Sequence, residues 1–162
     1  DQGRFAGFHE RLYHLLKHNK ESTMIFTLKV TSLHGQDSSD KWEATLEIDS
    51  MSPLDELHFA IQDALKFDDD HLYEFFIART AYSRDRRSFD DENGELYDKT
   101  IADLFPLPER KNLYYLFDYG AHWLFKISKA RKAPQAPSPD VEYPRLVSES
   151  GTRPQQYPCE DD

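Results

Sequence analysis

Two stretches of alternating apolar and polar residues constrain the fold of this chain most strongly. In residues 24–33, Phe26, Leu28 and Val30 alternate with threonine and lysine, and residues 42–48 repeat the alternation. Successive side chains of a strand point to opposite faces of a sheet, so each stretch predicts a half-buried strand. The segment between them, "HGQDSSDK", is short and rich in turn-forming residues. Together these features predict an antiparallel hairpin.

The segment after the second stretch, "DSMSPLDELHFAIQDALKF", has the features of an amphipathic helix. Ser52 is a natural N-cap, Pro53 suits the first helical position, and acidic residues follow in the first turn. Apolar residues then recur three and four positions apart, which predicts a helix that lies across the hairpin. The predicted buried stripe consists of Leu54, Leu57, Ile61, Ala64 and Leu65.

The next part of the chain predicts three further strands, a small hairpin and a short helix. The strands are "HLYEFFIA", "NLYYLFDYG" and "HWLFKISK". Asn93 followed by Gly94 is a strong hairpin-turn signal, and Thr100 is a suitable N-cap for a helical turn in "TIADLF". The order of all these elements predicts an α+β fold, with a mixed sheet of the β-grasp (ubiquitin-like) type and one main helix.

Both ends of the chain differ in composition from this central region. In residues 4–18, phenylalanine and leucine recur at helical spacing, which predicts an added amphipathic helix that packs on the domain, on a second copy as a homodimer, or on another protein. Six of the nine prolines follow Lys132, which predicts an extended strap or a disordered tail. The predicted layout is an N-terminal helix in residues 1–22, a single α+β domain in residues 23–132 and a Pro-rich tail in residues 133–162.

Charge and cysteine content narrow the classes of function. The chain has 20 basic and 30 acidic residues and a net charge of -10, so its average surface repels phosphate backbones and anionic membranes. Nucleic-acid binding is therefore disfavoured, although a cluster such as Arg84, Arg86 and Arg87 offers a basic patch. Cys159 is the single cysteine, which excludes an internal disulfide, and no apolar run is long enough to span a membrane. We expect a cytoplasmic protein.

Five ionisable side chains are candidates for a functional pocket. An acid beside a histidine can transfer protons, so convergence of these side chains at one end of the sheet would indicate a small enzyme or a metal- or ligand-binding protein. The structural alternative is that His71 caps a strand and that Asp118 accepts hydrogen bonds from backbone N–H groups in a turn. No residue is assigned a catalytic role, and no metal or cofactor is predicted. The candidates are His58, His71, Glu74, Asp118 and His122.

The stretch "LYYLFDYGAHWLFKI" concentrates aromatic side chains around one carboxylate. Two predicted strands meet there, and aromatic residues on both sides supply apolar area to a core. An aspartate at the turn satisfies backbone N–H groups. We therefore interpret the stretch as a structural corner formed by Tyr115, Asp118, Gly120 and Trp123.

Several segments together resemble a known family. "LHFAIQDALKFDDDHLYEF", "YYLFDYGAHW" and "YPRLV" are similar to the helix, strand, aromatic corner and Tyr-Pro segment of the plasmid pRiA ORF-three-like family, over about residues 25–146. The matching helix positions are Leu57, His58, Ile61 and Gln62, the strand positions are residues 71–75, and the corner positions are Tyr115, Asp118, Gly120 and Trp123.

The corner departs from the family pattern. Ala121 stands where the family usually has an aspartate, Phe117 and Tyr119 replace the usual tyrosine and phenylalanine, and Phe125 stands where a histidine is common. If the corner of the family is a polar site, this chain has lost two of its polar groups. The resemblance implies a cytoplasmic α+β domain and no particular activity. Some members are labelled transposon-passenger proteins, but this acidic chain lacks the serine and arginine set that a recombinase needs.

The sequence therefore favours a non-catalytic protein-binding or adaptor module. The apolar N-terminal helix, the acidic surface and the Pro-rich end motivate this prediction. A small enzyme or a metal- or ligand-binding protein that uses the five candidate residues is the alternative. A nucleic-acid-associated protein of a mobile element is a weaker one.

Overall fold

A computed structural model describes residues 23–33 and 40–157 of the chain. These residues form seven strands and three helices. The strands are β1 (Ile25–Ser32), β2 (Glu43–Asp49), β3 (Tyr73–Ala78), β4 (Arg87–Phe89), β5 (Asn112–Phe117), β6 (Trp123–Lys129) and β7 (Arg145–Ser150). The helices are α1 (Leu54–Leu65), α2 (Glu95–Asp98) and α3 (Ile101–Leu104). The predicted N-terminal helix of residues 4–18 lies outside the described residues.

The seven described strands belong to one sheet, in the order β4-β3-β5-β6-β1-β2-β7. Every neighbouring pair of strands runs antiparallel. The predicted hairpin is confirmed, because β1 pairs with β2 in a register that places Leu28 opposite Leu46. On its other side β1 pairs with β6, where Val30 lies opposite Ile127. The first described strand therefore lies inside the sheet, between its hairpin partner and a strand from a distant part of the chain.

The prediction of a β-grasp fold is wrong. A β-grasp sheet is mixed and packs on one main helix, whereas this sheet has seven strands that all pair antiparallel. Two of the three described helices are only four residues long. The alternation along a strand shows which residues face the core, but it determines neither the neighbouring strand nor the direction of that neighbour. The fold is instead a seven-stranded antiparallel sheet with short helices.

Helix α1 packs on one face of the sheet through the stripe that its spacing predicts. Leu54, Leu57 and Ile61 are fully buried and join apolar side chains of β1, β2, β3, β5 and β6 in the main core. The helix starts after Pro53 and ends at Leu65, and Lys66 caps it with a left-handed φ of 60°. Among the described residues, none of the helices combines the length and the apolar content that a membrane crossing needs.

The opposite face of the sheet carries a smaller apolar cluster. Phe76, Tyr114 and Leu124 are each at most 5% exposed there. The guanidinium carbon of Arg86 lies 4.0 Å from the ring centroid of Phe76, which is a cation–π contact. Glu74 is two residues from Phe76 on β3, so its carboxylate lies on this face and not on the face that α1 covers.

The C-terminal segment adds the edge strand β7 to the sheet. All six of its residues are exposed, and it pairs with β2. The indole Nε1 of Trp42 donates a hydrogen bond of 3.2 Å to Glu149 on this strand. Gly151 follows with φ of 73°, and a Cβ on it would lie 2.3 Å from the carbonyl oxygen of Lys41. Close backbone contact and side-chain hydrogen bonds therefore attach this segment to β2.

Two local predictions have different outcomes. Thr100 caps α3 as predicted, because its side chain and that of Asp103 each accept a hydrogen bond from the backbone N–H of the other residue. The hairpin predicted at Asn93 and Gly94 is wrong, since Gly94 has φ of 71° and directly precedes α2. Glycine adopts positive φ wherever the backbone needs it, so the dipeptide alone does not show whether a strand or a helix follows.

Candidate functional site

A buried histidine joins α1 to the sheet. The ring of His58 stacks on Tyr73 of β3, with ring centroids 3.5 Å apart and an interplanar angle of 2°. Its Nδ1 lies 2.6 Å from the hydroxyl oxygen of Tyr115 on β5, and its Nε2 lies 2.9 Å from Oδ1 of Asp69. Gln62, one helical turn further along α1, donates from Nε2 to the Tyr115 hydroxyl at 2.9 Å. We call His58, Gln62, Asp69 and Tyr115 the histidine cluster.

One assignment of protons satisfies all three hydrogen bonds of the histidine cluster. A neutral His58 donates from Nε2 to the Asp69 carboxylate and accepts at Nδ1 from the Tyr115 hydroxyl, whose oxygen accepts from Gln62. His58 and Tyr115 are 0% exposed and Gln62 is 4% exposed. The side chain of Asp69, in contrast, is 38% exposed. Only the carboxylate end of the cluster is therefore accessible to another molecule.

Burial determines the ionisation of the histidine cluster. Desolvation lowers the pKa of His58 below the ordinary 6.5, and the Asp69 carboxylate opposes this shift in part. Desolvation also raises the pKa of Tyr115 well above the ordinary 10.0. Both groups are uncharged at neutral pH, in agreement with the proton assignment. The cluster thus connects helix and sheet without leaving a charge in the core.

A second polar pair lies near solvent, where β3 begins and β5 ends. Nε2 of His71 is 3.3 Å from Oδ2 of Asp118 and 3.4 Å from Oδ1 of Asp70. The other carboxylate oxygen of Asp118 accepts hydrogen bonds of 3.0 and 3.1 Å from the backbone N–H groups of Gly120 and Ala121. The aspartate therefore binds the turn with one oxygen and contacts the imidazole with the other.

The two remaining candidates lie elsewhere. Glu74 is on the face of β3 that α1 does not cover, and its Oε1 is 3.7 Å from Nη1 of Arg86. Burial raises the pKa of this carboxyl, and the arginine opposes the shift. His122 is exposed in the turn between β5 and β6, with φ of 59°. The structure thus brings His71 and Asp118 together, but it separates this pair from the buried His58, from Glu74 and from His122.

The four corner residues have two kinds of environment. Tyr115 and Trp123 lie on paired strands in the main core, and the ring of Trp123 packs edge-on against Phe67 with centroids 5.1 Å apart. Asp118 has a left-handed φ of 62°, and Gly120 follows it in the turn. The corner therefore combines two buried aromatic rings with a turn that one carboxylate holds.

The arginines that offered a basic patch are partly engaged within the fold. Arg86 pairs with Glu74, and Arg87 pairs with Glu95. Arg84 is exposed and forms no ion pair with a described residue. In residues 23–33 and 40–157, no group of three or more His, Cys, Asp or Glu side chains is arranged to hold a metal ion.

A groove that the sequence analysis missed opens where β5 begins and β6 ends. It has a volume of about 390 Å³, which falls within the size range of ligand pockets. Phe105 packs edge-on against Phe26 beside it, with centroids 6.3 Å apart, and Nζ of Lys129 lies 4.3 Å from the Phe26 centroid. None of the five candidate residues lines it. We call this cavity the basic groove; it is lined by residues 105–107, Asn112 and residues 127–129.

The family model of plasmid pRiA4b ORF-3-like protein matches residues 24–159, which is most of the chain. The chain belongs to the plasmid pRiA4b ORF-3-like family. The resemblance found in the sequence is confirmed. Among solved structures, a protein of unknown function from Methanosarcina mazei Go1 is similar, with a TM-score of 0.62 and 22% sequence identity over 78% of this chain and 70% of that chain. At this identity the likeness shows the fold alone, and no curated protein matches the chain.

In this member of the plasmid pRiA4b ORF-3-like family, the sequence marks His58, Gln62 and Tyr115 separately but does not predict that they meet, and it does not mark Asp69. Gln62 is four residues further along α1, and side chains at this spacing share one face of a helix. That spacing is the signal that places both polar groups beside the leucine stripe. Tyr115 and Asp69 come from other elements, and no local pattern connects them to the helix.

Proposed function

We propose that this plasmid pRiA4b ORF-3-like chain is a non-catalytic protein-binding module and that the basic groove is its binding surface. The proposal rests on one difference between the histidine cluster and the basic groove. The polar groups most suited to chemistry are sealed in the core, whereas the groove is open and largely apolar. Protein interfaces use such concave apolar sites for the few side chains that carry most of the binding energy.

The histidine cluster is a poor candidate for catalysis. A catalytic group must contact its substrate within hydrogen-bonding distance. Both ring nitrogens of His58 are already occupied, and neither His58 nor Tyr115 has exposed surface. The partly exposed pair of His71 and Asp118 supports the alternative of a small enzyme, but one oxygen of Asp118 accepts hydrogen bonds from the turn, and neither residue lines the basic groove.

The size and the lining of the basic groove suit apolar side chains of a partner protein. Its walls come from the loop after α3 and from the end of β6, so they are held by two elements of the same sheet and core. Phe105 and Leu107 are partly exposed, while Ile127 at the base is 1% exposed. A volume of about 390 Å³ accommodates one or two apolar side chains of a partner, with room for backbone contacts at the rim.

The proposal is tested by selecting random peptides displayed on phage against the full chain. Enriched peptides are then measured against Leu107→Glu, which places a charge in the groove, and against Leu72→Glu, which makes the same change at a residue that is 61% exposed and does not line it. We expect Leu107→Glu to lose at least about tenfold in affinity, because it buries a charge against the peptide anchor. The Leu72→Glu control is expected to bind like the unaltered chain.

Two results would overturn the proposal. The first is a selection that enriches no peptide with measurable affinity. The second is a set of peptides that bind Leu107→Glu as well as the unaltered chain. Circular dichroism and a thermal melt establish that Leu107→Glu is folded. If it is not folded, Ser128→Trp replaces it, because Ser128 is exposed and a bulky ring there fills the groove without introducing a charge.

A further inference from the structure

We infer that the partner of the basic groove is an acidic protein segment that carries one exposed apolar side chain, an inference that rests on the proposed function. The observation behind it is the distribution of charge. The whole chain has 20 basic and 30 acidic residues, but residues 105–135 have six basic residues and only two acidic ones. The six basic residues are Arg110, Lys111, Lys126, Lys129, Arg131 and Lys132.

Most of this positive charge lies next to the lining of the groove. Arg110 and Lys111 directly precede Asn112, which lines the cavity, and Arg131 and Lys132 follow Lys129, which also lines it. Residues 129–135 run beside the start of β1, as shown by the pairing of Leu28 with Lys129 and the bridge between Ile25 and Gln135. Four cations therefore lie within three residues of the lining positions Asn112 and Lys129 in the sequence, and Lys129 itself lines the groove.

These cations are not neutralised by the acidic residues of the fold. No ion pair joins any of the six to a described acidic residue, whereas Arg86, Arg87, Arg145 and Arg153 are each paired with a glutamate. Lys129 instead places its amine over the ring of Phe26. Unpaired charge beside an apolar cavity attracts an oppositely charged partner and increases its association rate.

An acidic protein segment fits these features better than a nucleic acid does. Duplex DNA presents one negative charge in about every 1.7 Å of its axis, so a chain of net charge -10 repels it as a whole. A short acidic peptide carries only a few charges, and local attraction exceeds the repulsion. The apolar lining residues Phe105, Leu107 and Ile127 also favour an apolar side chain, which a phosphate backbone does not supply.

The test uses fluorescence anisotropy of the full chain with four probes. Three are peptides of about twelve residues with one central phenylalanine, flanked by glutamate, by glutamine or by lysine. The fourth is a short DNA duplex. We expect the glutamate peptide to bind at least about tenfold more tightly than the glutamine peptide, the lysine peptide and the duplex to show no binding, and the affinity to decrease when sodium chloride is raised from about 50 to about 300 mM.

A matched pair of charge reversals locates the interaction. Arg131→Glu is expected to weaken binding of the glutamate peptide by about fivefold, since it turns a nearby attraction into a repulsion. Arg84→Glu changes the charge of the chain equally at an exposed arginine outside the groove, and we expect a change of less than about twofold. Equal losses in the two variants would overturn the inference, because they would indicate a response to net charge alone.

The outcomes separate this inference from the proposed function. If the glutamine peptide binds as tightly as the glutamate peptide and Leu107→Glu abolishes both, the binding module stands and the acidic partner is overturned. Retention of the duplex overturns the acidic partner in favour of nucleic acid. Light scattering that shows a dimer dissociated by Arg131→Glu overturns it in favour of a second copy. Absence of binding by every probe, together with a failed peptide selection, overturns both proposals.

Discussion

Removing the hydroxyl group of Tyr115 tests whether the histidine cluster holds α1 on the sheet. Tyr115→Phe keeps the ring, so apolar packing in the core is preserved. It leaves Nδ1 of His58 without its donor at 2.6 Å and the amide of Gln62 without its acceptor at 2.9 Å. Each buried polar group left without a partner costs about 1–3 kcal/mol. With two such groups, we expect the free energy of unfolding to fall by about 2–6 kcal/mol.

The assay is urea denaturation followed by tryptophan fluorescence, together with a thermal melt. For a domain of this size a loss of 1 kcal/mol lowers the Tm by about 2–4 °C, so Tyr115→Phe is expected to lower it by about 4–24 °C. Tyr114→Phe is the matched control on the adjacent position of β5. Its hydroxyl has only a long contact of 3.4 Å with Asn112, so we expect a loss below about 1 kcal/mol.

The reasoning is refuted if Tyr115→Phe and Tyr114→Phe lose the same free energy. A double variant provides a second check. Gln62→Leu removes the amide that Tyr115→Phe would leave without an acceptor, so the two changes together should cost less than the sum of the single changes. Additive losses would mean that the hydroxyl and the amide do not act on each other.

Two further predictions concern pH and the attachment of β7. The pKa of His58 in the folded chain is below its unfolded value of 6.5, so below pH 6.5 the unfolded chain binds more protons than the folded chain. The contribution of His58 to stability is therefore present above pH 6.5 and is lost as pH falls through the folded pKa. The slope of this loss is at most about 1.4 kcal/mol per pH unit. Urea midpoints between about pH 5 and 7 measure this loss of stability. The loss should be smaller in His58→Gln and should persist in His122→Gln. Equal slopes in all three chains would contradict the assignment of the loss to His58. Gly151→Ala combines positive φ with a Cβ placed 2.3 Å from the Lys41 carbonyl oxygen, so we expect a loss of about 2–4 kcal/mol in urea denaturation. Gly94→Ala has a similar φ with no atom within 4 Å and should lose only about 1 kcal/mol; an equal loss would show that close contact with Lys41 does not matter.

The local elements of this fold could be read from the sequence because their signals are local. The alternation in β1 and β2 and the stripe of α1 each require only a few neighbouring residues, and the structure contains all three elements. Strand β7 could not be found in this way. All six of its residues are exposed and five prolines lie within ten residues of it, so neither alternation nor burial marks it.

The arrangement of the sheet and the partners of His58 could not be read from the sequence for a different reason. The pairing of β1 with β6 and the contact of His58 with Tyr115 join residues that are far apart in the chain. A periodic pattern shows that a side chain is buried, but it does not show what it meets. Chemical type therefore marks the candidate residues, but the fold brings together only His71 and Asp118 among them.

Ionisable side chains in the core and near the groove differ in how their polar groups are paired. In the core, His58 is neutral and both of its ring nitrogens form hydrogen bonds, which is what stability alone requires. Five cations, Arg110, Lys111, Lys129, Arg131 and Lys132, line the basic groove or lie next to its lining in the sequence, and none forms an ion pair with a described acid. Stability favours pairing or dispersing such charges, because like charges repel one another. Proteins retain unfavourable local arrangements mainly where function needs them. The unpaired cations therefore direct the search for a partner to the groove and away from the histidine cluster.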